Sequence, residues 1–456
     1  MLANFIYLTG LILISPIVLW RCLHGGRYRR GVSEKLLGLS PKKARQLFPA
    51  AGDPSDPLMK KNRRWFHAVS VGEVNLLPGL IKRLEKEESM PFVVSASTDT
   101  GYDLAVKLFG ADRVFFCPLD FTWSVRRTLQ NLQVNELVLV ELELWPNLIR
   151  FANQKQCQVK VINARLSQRS AKRYQSFPRL TRPLFAQLHW VGCQDSEVLE
   201  HFVACGTPRT HLEVTGSLKF DNAPSRRDTQ EVIDCQTWTG QTDQHTVWLV
   251  GSTQADEEEM AIDIFQSIAP RHPNLRLIIV PRHTQRFDEV AKLILSKGLR
   301  LHRRSNSQDP QEYWEQSCIV LIDTIGELRN WWGTAQIATV GGSFGTRGGQ
   351  NMLEPAGYGT AVSFGPDTRN FKQIANTLLN ADAACRVKDK QALKKFVERC
   401  LSDSAYRIAL GARAAEIVNQ HRGAIELTSK SLIRNPHWFN DSKTSDCAER
   451  EAGAKK

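Results

Sequence analysis

The chain has 456 residues, enough for two or three domains at about 150 residues each. With 42% apolar and 23% charged residues it has globular composition, which excludes a fibrous or largely disordered chain. The 60 Lys and Arg against 47 Asp and Glu leave a net charge of +13, so the expected partner is anionic: phosphate-rich lipid, nucleic acid or an acidic substrate.

Residues 4–20 (NFIYLTGLILISPIVLW) form an uncharged run of seventeen, the short end of what spans a hydrocarbon core of about 30 Å. Twelve Lys or Arg lie between Arg21 and Arg64, opposed only by Glu34, Asp53 and Asp56. A secretory signal would carry its positive charges first and end in Ala-x-Ala; here the charges follow the apolar run. The expectation is therefore a membrane anchor over residues 1–22 and a basic juxtamembrane segment over 23–63. The body should stay on the cytoplasmic side of an anionic inner-membrane leaflet. Pro16 would kink a spanning helix. The ten cysteines are scattered with no two-residue spacing, which points to buried reduced thiols, not to a zinc or redox motif.

From Arg64 the pattern becomes strand, short loop, amphipathic helix. Strands are predicted at 65–71, 92–97, 137–140, 159–163, about 188–191 and 212–215, and a helix carries Leu76, Leu77, Leu80, Ile81 and Leu84 on one face. Residues 222–246 are polar and irregular and read as an inter-domain linker. Strands resume at 247–251, 275–280, 319–322, 337–340 and 361–364. Alternation of this kind implies parallel sheets with helical crossovers. The expected architecture is α/β: two Rossmann-like domains, 64–221 and 247–435, facing a cleft, with a polar tail over 436–456.

In such folds ligands bind beyond the C-terminal ends of the strands, so those loops carry the candidate chemistry. The first holds Ser70, Gly72 and Glu73, a carboxylate placed to take a proton from a hydroxyl. The loop after 137–140 holds Glu141 and Glu143; at alternate positions their carboxylates share a face and need cationic compensation. Asn163 and Arg165 close the next strand. In the second half, Pro281 and Arg282 end a strand, where a guanidinium suits a phosphate, and His283 adds a weaker signal. Ser252 and Thr253 precede a helix and, with its backbone amides, suit an anion. The stretch from Gly341, Gly342 and Ser343 to Asn351 and Glu354 offers flexible amides for phosphate, then an amide and a carboxylate on one helix face for two ribose hydroxyls. There is no G-x-G-x-x-G after the first strand and no Walker pattern, which weighs against NAD and P-loop sites.

Seven stretches in order, HAVSVGE (67–73), ELELWPN (141–147), NARLSQRS (163–170), TGSLKFD (215–221), VPRH (280–283), DTIGEL (323–328) and VGGSF…RGGQNMLEPA (340–356), are similar to the Kdo (3-deoxy-D-manno-octulosonic acid) transferases of lipopolysaccharide inner-core synthesis. The resemblance covers roughly residues 1–435. It implies a membrane-associated, inverting, metal-independent glycosyltransferase of the GT-B type without a cofactor, taking CMP-Kdo as donor and a phosphorylated lipid A precursor as acceptor. By that resemblance Glu73 is the general base, and Glu141 and Lys219 assist the transition state. CMP would contact Pro281, Arg282, the turn Ile325, Gly326 and Glu327, and Asn351, Met352, Leu353 and Glu354. Gln254 and Gln350 stand where the family more often has His, Met352 where Pro is common, and Thr284-Gln285 where Pro-Glu is usual. The rival readings are another nucleotide-sugar transferase of the same type and a membrane-tethered homologue that binds without catalysis. A nucleic-acid partner is not expected, because the basic cluster adjoins the apolar segment and lacks interleaved aromatics.

Overall fold

The computed structural model of the chain describes residues 30–48, 63–306, 314–315 and 317–434. The expected anchor 1–22, most of the basic segment 23–63 and the tail 436–456 lie outside the described residues. Among the described residues no helix is long and apolar enough to cross a membrane.

The chain forms two compact units. One comprises the described residues up to Asp221 and from Arg422; the other runs from Asn222 to His421. The first unit is built on seven parallel strands: β1 (Arg64–His67), β2 (Phe92–Ala96), β3 (Val114–Phe116), β4 (Glu136–Val140), β5 (Gln158–Ala164), β6 (Trp190–Cys193) and β7 (Leu212–Val214), in the order β3-β2-β1-β4-β5-β6-β7. Alternate residues feed two cores. Trp65, Val93, Leu137 and Leu139 join one apolar cluster, and Phe66, Val94, Val138 and Val140 join the other. Both faces are thus covered, as a parallel sheet requires. Leu77, Leu80, Ile81 and Leu84 are the buried stripe of the helix Leu77–Glu87, as the periodicity predicts.

The second unit has another seven parallel strands: β8 (Thr246–Thr253), β9 (Leu275–Pro281), β10 (Arg300–Arg303), β11 (Cys318–Leu321), β12 (Ile337–Val340), β13 (Ala361–Phe364) and β14 (Cys385–Arg386), in the order β10-β11-β9-β8-β12-β13-β14. The order reverses beside the first strand of each sheet, between β1 and β4 in the first unit and between β8 and β12 in the second, where β11 is also inserted between β9 and β10. Crevices form at such reversals.

Three features differ from expectation. Three short strands do not stand out in the sequence: β3 is apolar but only three residues long, while β10 and β14 carry too few apolar residues. The segment 222–246 is no free linker: it contains the helix Gln230–Thr239, and the Arg227 guanidinium donates to Tyr358 O, Gly333 O and Thr360 Oγ1. The chain also returns to the first unit before 435. The helix Ala424–Arg434 packs Ala424 and Leu432 against Leu80, Ile81 and Leu84, and the buried Lys160 Nζ donates to Leu432 O at 3.1 Å. All eight cysteines among the described residues are free, and six of them are buried.

Candidate functional site

In the first unit β1 ends at His67, earlier than predicted, and Val71–Val74 is a helical turn. Gly72 does not force that turn: its backbone is ordinary, and an added Cβ would meet only Ser70 Oγ at 3.8 Å. Ser70 starts it instead, with extended φ and ψ. Glu73 in the turn folds its side chain back. Its Oε2 accepts from Val69 N–H at 2.7 Å, and its Oε1 accepts from Ser70 Oγ at 3.1 Å. Only 9% of the residue is exposed. Burial pushes the Glu73 carboxyl up from 4.5 to about 7, with the negative charges of Glu143 and Glu141 adding to the rise and the two hydrogen bonds opposing it.

Glu141 follows β4, the strand beside β1. It does not continue the strand: its φ is +61°, a left-handed conformation that costs a side-chain-bearing residue about 1–2 kcal/mol. The expected alternation of Glu141 and Glu143 along an extended strand is therefore corrected. Glu141 turns toward cations. Lys219 Nζ lies 2.8 Å from its Oε1 and Arg165 Nη1 3.4 Å from its Oε2. Asn163, also left-handed at φ +52°, accepts Leu218 N–H on its Oδ1 at 3.0 Å. That bond pins the short helix Leu218–Asp221, and Lys219 with it, to the end of β5. Glu143 takes a different partner: its Oε2 accepts from Trp145 Nε1 at 3.0 Å, while burial raises its pKa. Glu73, Glu141 and Lys219 are thus gathered at the reversal point of the first sheet.

The second unit brings together part of what was expected. Pro281 closes β9 and is buried. Arg282 is exposed, its backbone N–H donates to Thr253 O at 3.0 Å, and its guanidinium makes no hydrogen bond or ion pair among the described residues. Asn351 Nδ2 donates to Glu354 Oε1 at 3.2 Å. Burial raises the Glu354 carboxyl, against the positive charges of Arg329 and Arg282 and the Asn351 bond. Ile325 is 80% exposed, and Gly326 has φ +91° with open space around it. Glu327 Oε2 is occupied, accepting from Arg304 Nε at 3.0 Å and Trp331 Nε1 at 3.2 Å, which hold its carboxyl low despite burial. The turn is seated on the end of β8, because Leu328 and Trp332 press against Gly251. The side chains of Met352 and Leu353 are core groups, so only their main chain is available.

The expected anion site at Ser252, Thr253, Gly342 and Ser343 is corrected. Its donors are already taken from within the chain. Glu257, the first residue of the helix Glu257–Ile268, accepts four backbone N–H groups: Gly342 at 2.7 Å, Gln254 at 2.8 Å, Ser343 at 3.0 Å and Phe344 at 3.1 Å. Thr253 Oγ1 donates to the buried Glu258, which also pairs with Arg286 at 3.0 Å. Ser343 is fully buried, its hydroxyl donating to Val340 O and accepting from Gly365 N–H. Ser252 is buried in a left-handed conformation, φ +56°. Sequence reasoning passed over Glu257. The signal was four consecutive acids, Asp256 to Glu259, at a helix start, where carboxylates satisfy the free amides themselves. Among the described residues no group of three or more His, Cys, Asp or Glu is arranged to hold a metal.

Residues 36–222 match the family described as 3-Deoxy-D-manno-octulosonic-acid transferase (kdotransferase). A 3-deoxy-D-manno-octulosonic acid transferase from Haemophilus influenzae is 30% identical over 433 residues, covering 93% of this chain and 96% of that protein. Its namesake from Bordetella pertussis is 32% identical over 378 residues, covering 81% of this chain and 86% of that one. Among solved structures, a UDP-GlcNAc 2-epimerase from Neisseria meningitidis bound to UDP-GlcNAc matches with a TM-score of 0.57 over 82% of this chain and 100% of that chain. At 11% identity that is a likeness of fold alone: two Rossmann-like units of the GT-B kind.

Proposed function

The chain belongs to the 3-deoxy-D-manno-octulosonic-acid transferase family, and from that premise we propose that it moves Kdo from CMP-Kdo onto a phosphorylated lipid A precursor (lipid IVA) with inversion at the anomeric carbon. The observation that carries this reading is Glu73, a buried carboxyl whose pKa of about 7 suits proton transfer at neutral pH. An acceptor hydroxyl loses its proton to Glu73 Oε as its oxygen attacks the anomeric carbon. The new C–O bond forms as the bond to the CMP phosphate breaks, and CMP leaves with the electron pair. An inverting transfer needs one base opposite the leaving group, and no nucleophilic carboxylate. Glu141 would hold Lys219 and Arg165 in place, so that cationic groups adjoin the anionic reactants as charge shifts.

The second unit is the donor half in this reading. Arg282, without an ion pair among the described residues at the end of β9, is suited to the CMP phosphate. Asn351 and Glu354 are suited to ribose hydroxyls, and the open turn at Ile325, Gly326 and Glu327 to the base or its sugar. The body would sit at the cytoplasmic face of the inner membrane, held by residues 1–22. Around the helix Pro178–Phe185, Phe177 is 62% and Leu180 72% exposed amid Arg169, Lys172, Arg173, Arg179 and Arg182, which supports contact with an anionic leaflet. Incubating purified protein with lipid IVA and CMP-Kdo should give, by mass spectrometry, acceptor heavier by Kdo units together with free CMP. Product formed from a UDP-sugar and none from CMP-Kdo would overturn the reading.

A further inference from the structure

We infer that Glu257 is a positioning residue for donor binding: its carboxylate fastens the loop after β8 to the loop after β12, and so sets the backbone of the donor site. The inference rests on the reading of the second unit as the donor half. The two loops flank the point where the second sheet reverses, and nothing in the strand pairing ties them together beyond Gly341 N–H to Gly251 O. Glu257 supplies that tie. Its Oε2 accepts from Gln254 N–H on the first loop and from Gly342 N–H on the second, while its Oε1 accepts from Ser343 and Phe344 N–H.

The residue type follows from the geometry. Only an ionised carboxylate presents two oxygens that both accept and never donate, which four converging N–H groups demand. Among the described residues no Lys or Arg forms an ion pair with Glu257, so burial, at 4% exposure, raises its carboxyl and the four amides alone oppose that rise. Gly341 makes room: a Cβ there would stand 2.7 Å from Glu257 Oε2 and 2.8 Å from Ser252 O. The fastening reaches the expected ligand contacts. Gly342 O accepts Gly349 N–H at 2.8 Å, immediately before Gln350, Asn351 and Glu354, and the Gln350 side chain lies against Gly342.

Glu257→Gln replaces one oxygen by an amino group that faces N–H donors, so at least one loop is released. We expect the Kd of CMP, measured by calorimetry, and the KM of CMP-Kdo to rise about tenfold or more, with the acceptor KM unchanged. Glu258→Gln is the control for mere loss of stability: it weakens the bonds to Arg286 and Thr253 on the same helical turn and should lower Tm while leaving the donor KM in place. If Glu257→Gln does not fold, Glu257→Asp keeps the charge but is one methylene too short to bridge both loops, and the same donor-side shift is expected. A folded Glu257 variant with wild-type CMP affinity and donor KM overturns the inference. Wild-type protein that neither binds CMP nor turns over CMP-Kdo overturns the donor-half reading instead. Amide hydrogen exchange at Gly342 to Phe344 then decides the fastening alone: faster exchange in Glu257→Gln supports it, and unchanged exchange overturns it.

Discussion

At each sheet's reversal point burial pushes a carboxyl toward its protonated form, but the number of donors that oppose the push differs. At the first, Glu73 accepts two hydrogen bonds and among the described residues no cation pairs with it, while the neighbouring charges of Glu141 and Glu143 make its ionisation harder. At the second, Glu257 accepts four, which fills the roughly four lone-pair positions of a carboxylate. An under-bonded buried carboxyl exchanges a proton near neutral pH; a fully bonded one is a strut. Corresponding places, beyond the first strand of each sheet, are thus divided between chemistry and support, and the count of donors aimed at the carboxylate decides which.

The largest effect should come from the under-bonded side. Glu73→Gln keeps the shape and cannot accept the proton, so turnover should fall by about 10²–10⁴-fold while CMP affinity stays at the wild-type level. Near-wild-type turnover at saturating donor would end the contrast and move attention to Glu141. On the supporting side, Arg282→Ala removes an unpaired guanidinium and should weaken inhibition by CMP about ten- to a hundredfold, with the acceptor KM untouched. An unchanged inhibition constant would place Arg282 outside the donor half. The pH profile sharpens the comparison further. Turnover should decline as pH falls through about 7, where Glu73 gains its proton, and that limb should vanish from the residual activity of Glu73→Gln. The stability effect has the opposite sense. A carboxyl raised from 4.5 to about 7 stabilises the fold fully below its ordinary value and loses that contribution as pH rises through 7. Glu73→Gln, neutral throughout, should therefore gain most in Tm over wild type at alkaline pH. The smallest effect concerns the surface: Phe177→Asp with Leu180→Asp should reduce sedimentation with anionic vesicles several-fold and leave turnover of a soluble acceptor unchanged.

Much of this was legible before any coordinates. The apolar runs Leu137–Val140 and Leu277–Val280 announce strands buried on both faces, and the loops after them hold Glu141 and Arg282 as the parallel topology requires. Glu73 stood out because it follows the predicted strand 65–71, although the strand itself ends at His67. Left-handed backbone was not legible, since Glu141, Asn163 and Ser252 adopt it without glycine and only the surrounding bonds enforce it. Nor was the fate of the amides after β12. Glycines at 341 and 342 suggest an exogenous anion equally well as an endogenous one, and Glu257 lies 85 positions from Gly342. Competition between a ligand and a distant side chain for the same donors leaves no local trace.

The return of the chain to the first unit has a consequence for how the protein is made. A ribosome releases the seven strands of that unit first, yet the helix Ala424–Arg434 that covers Leu80, Ile81 and Leu84 emerges only after the whole of the second unit. Until then Asp221 lacks the Gly423 and Ile425 N–H groups it accepts, and Lys160 lacks the Leu432 carbonyl. The second unit, continuous from Asn222 to His421, has all its parts earlier. The half of the molecule translated first is the half that can be completed last, so a nonsense lesion near residue 420 would strike the amino-terminal fold.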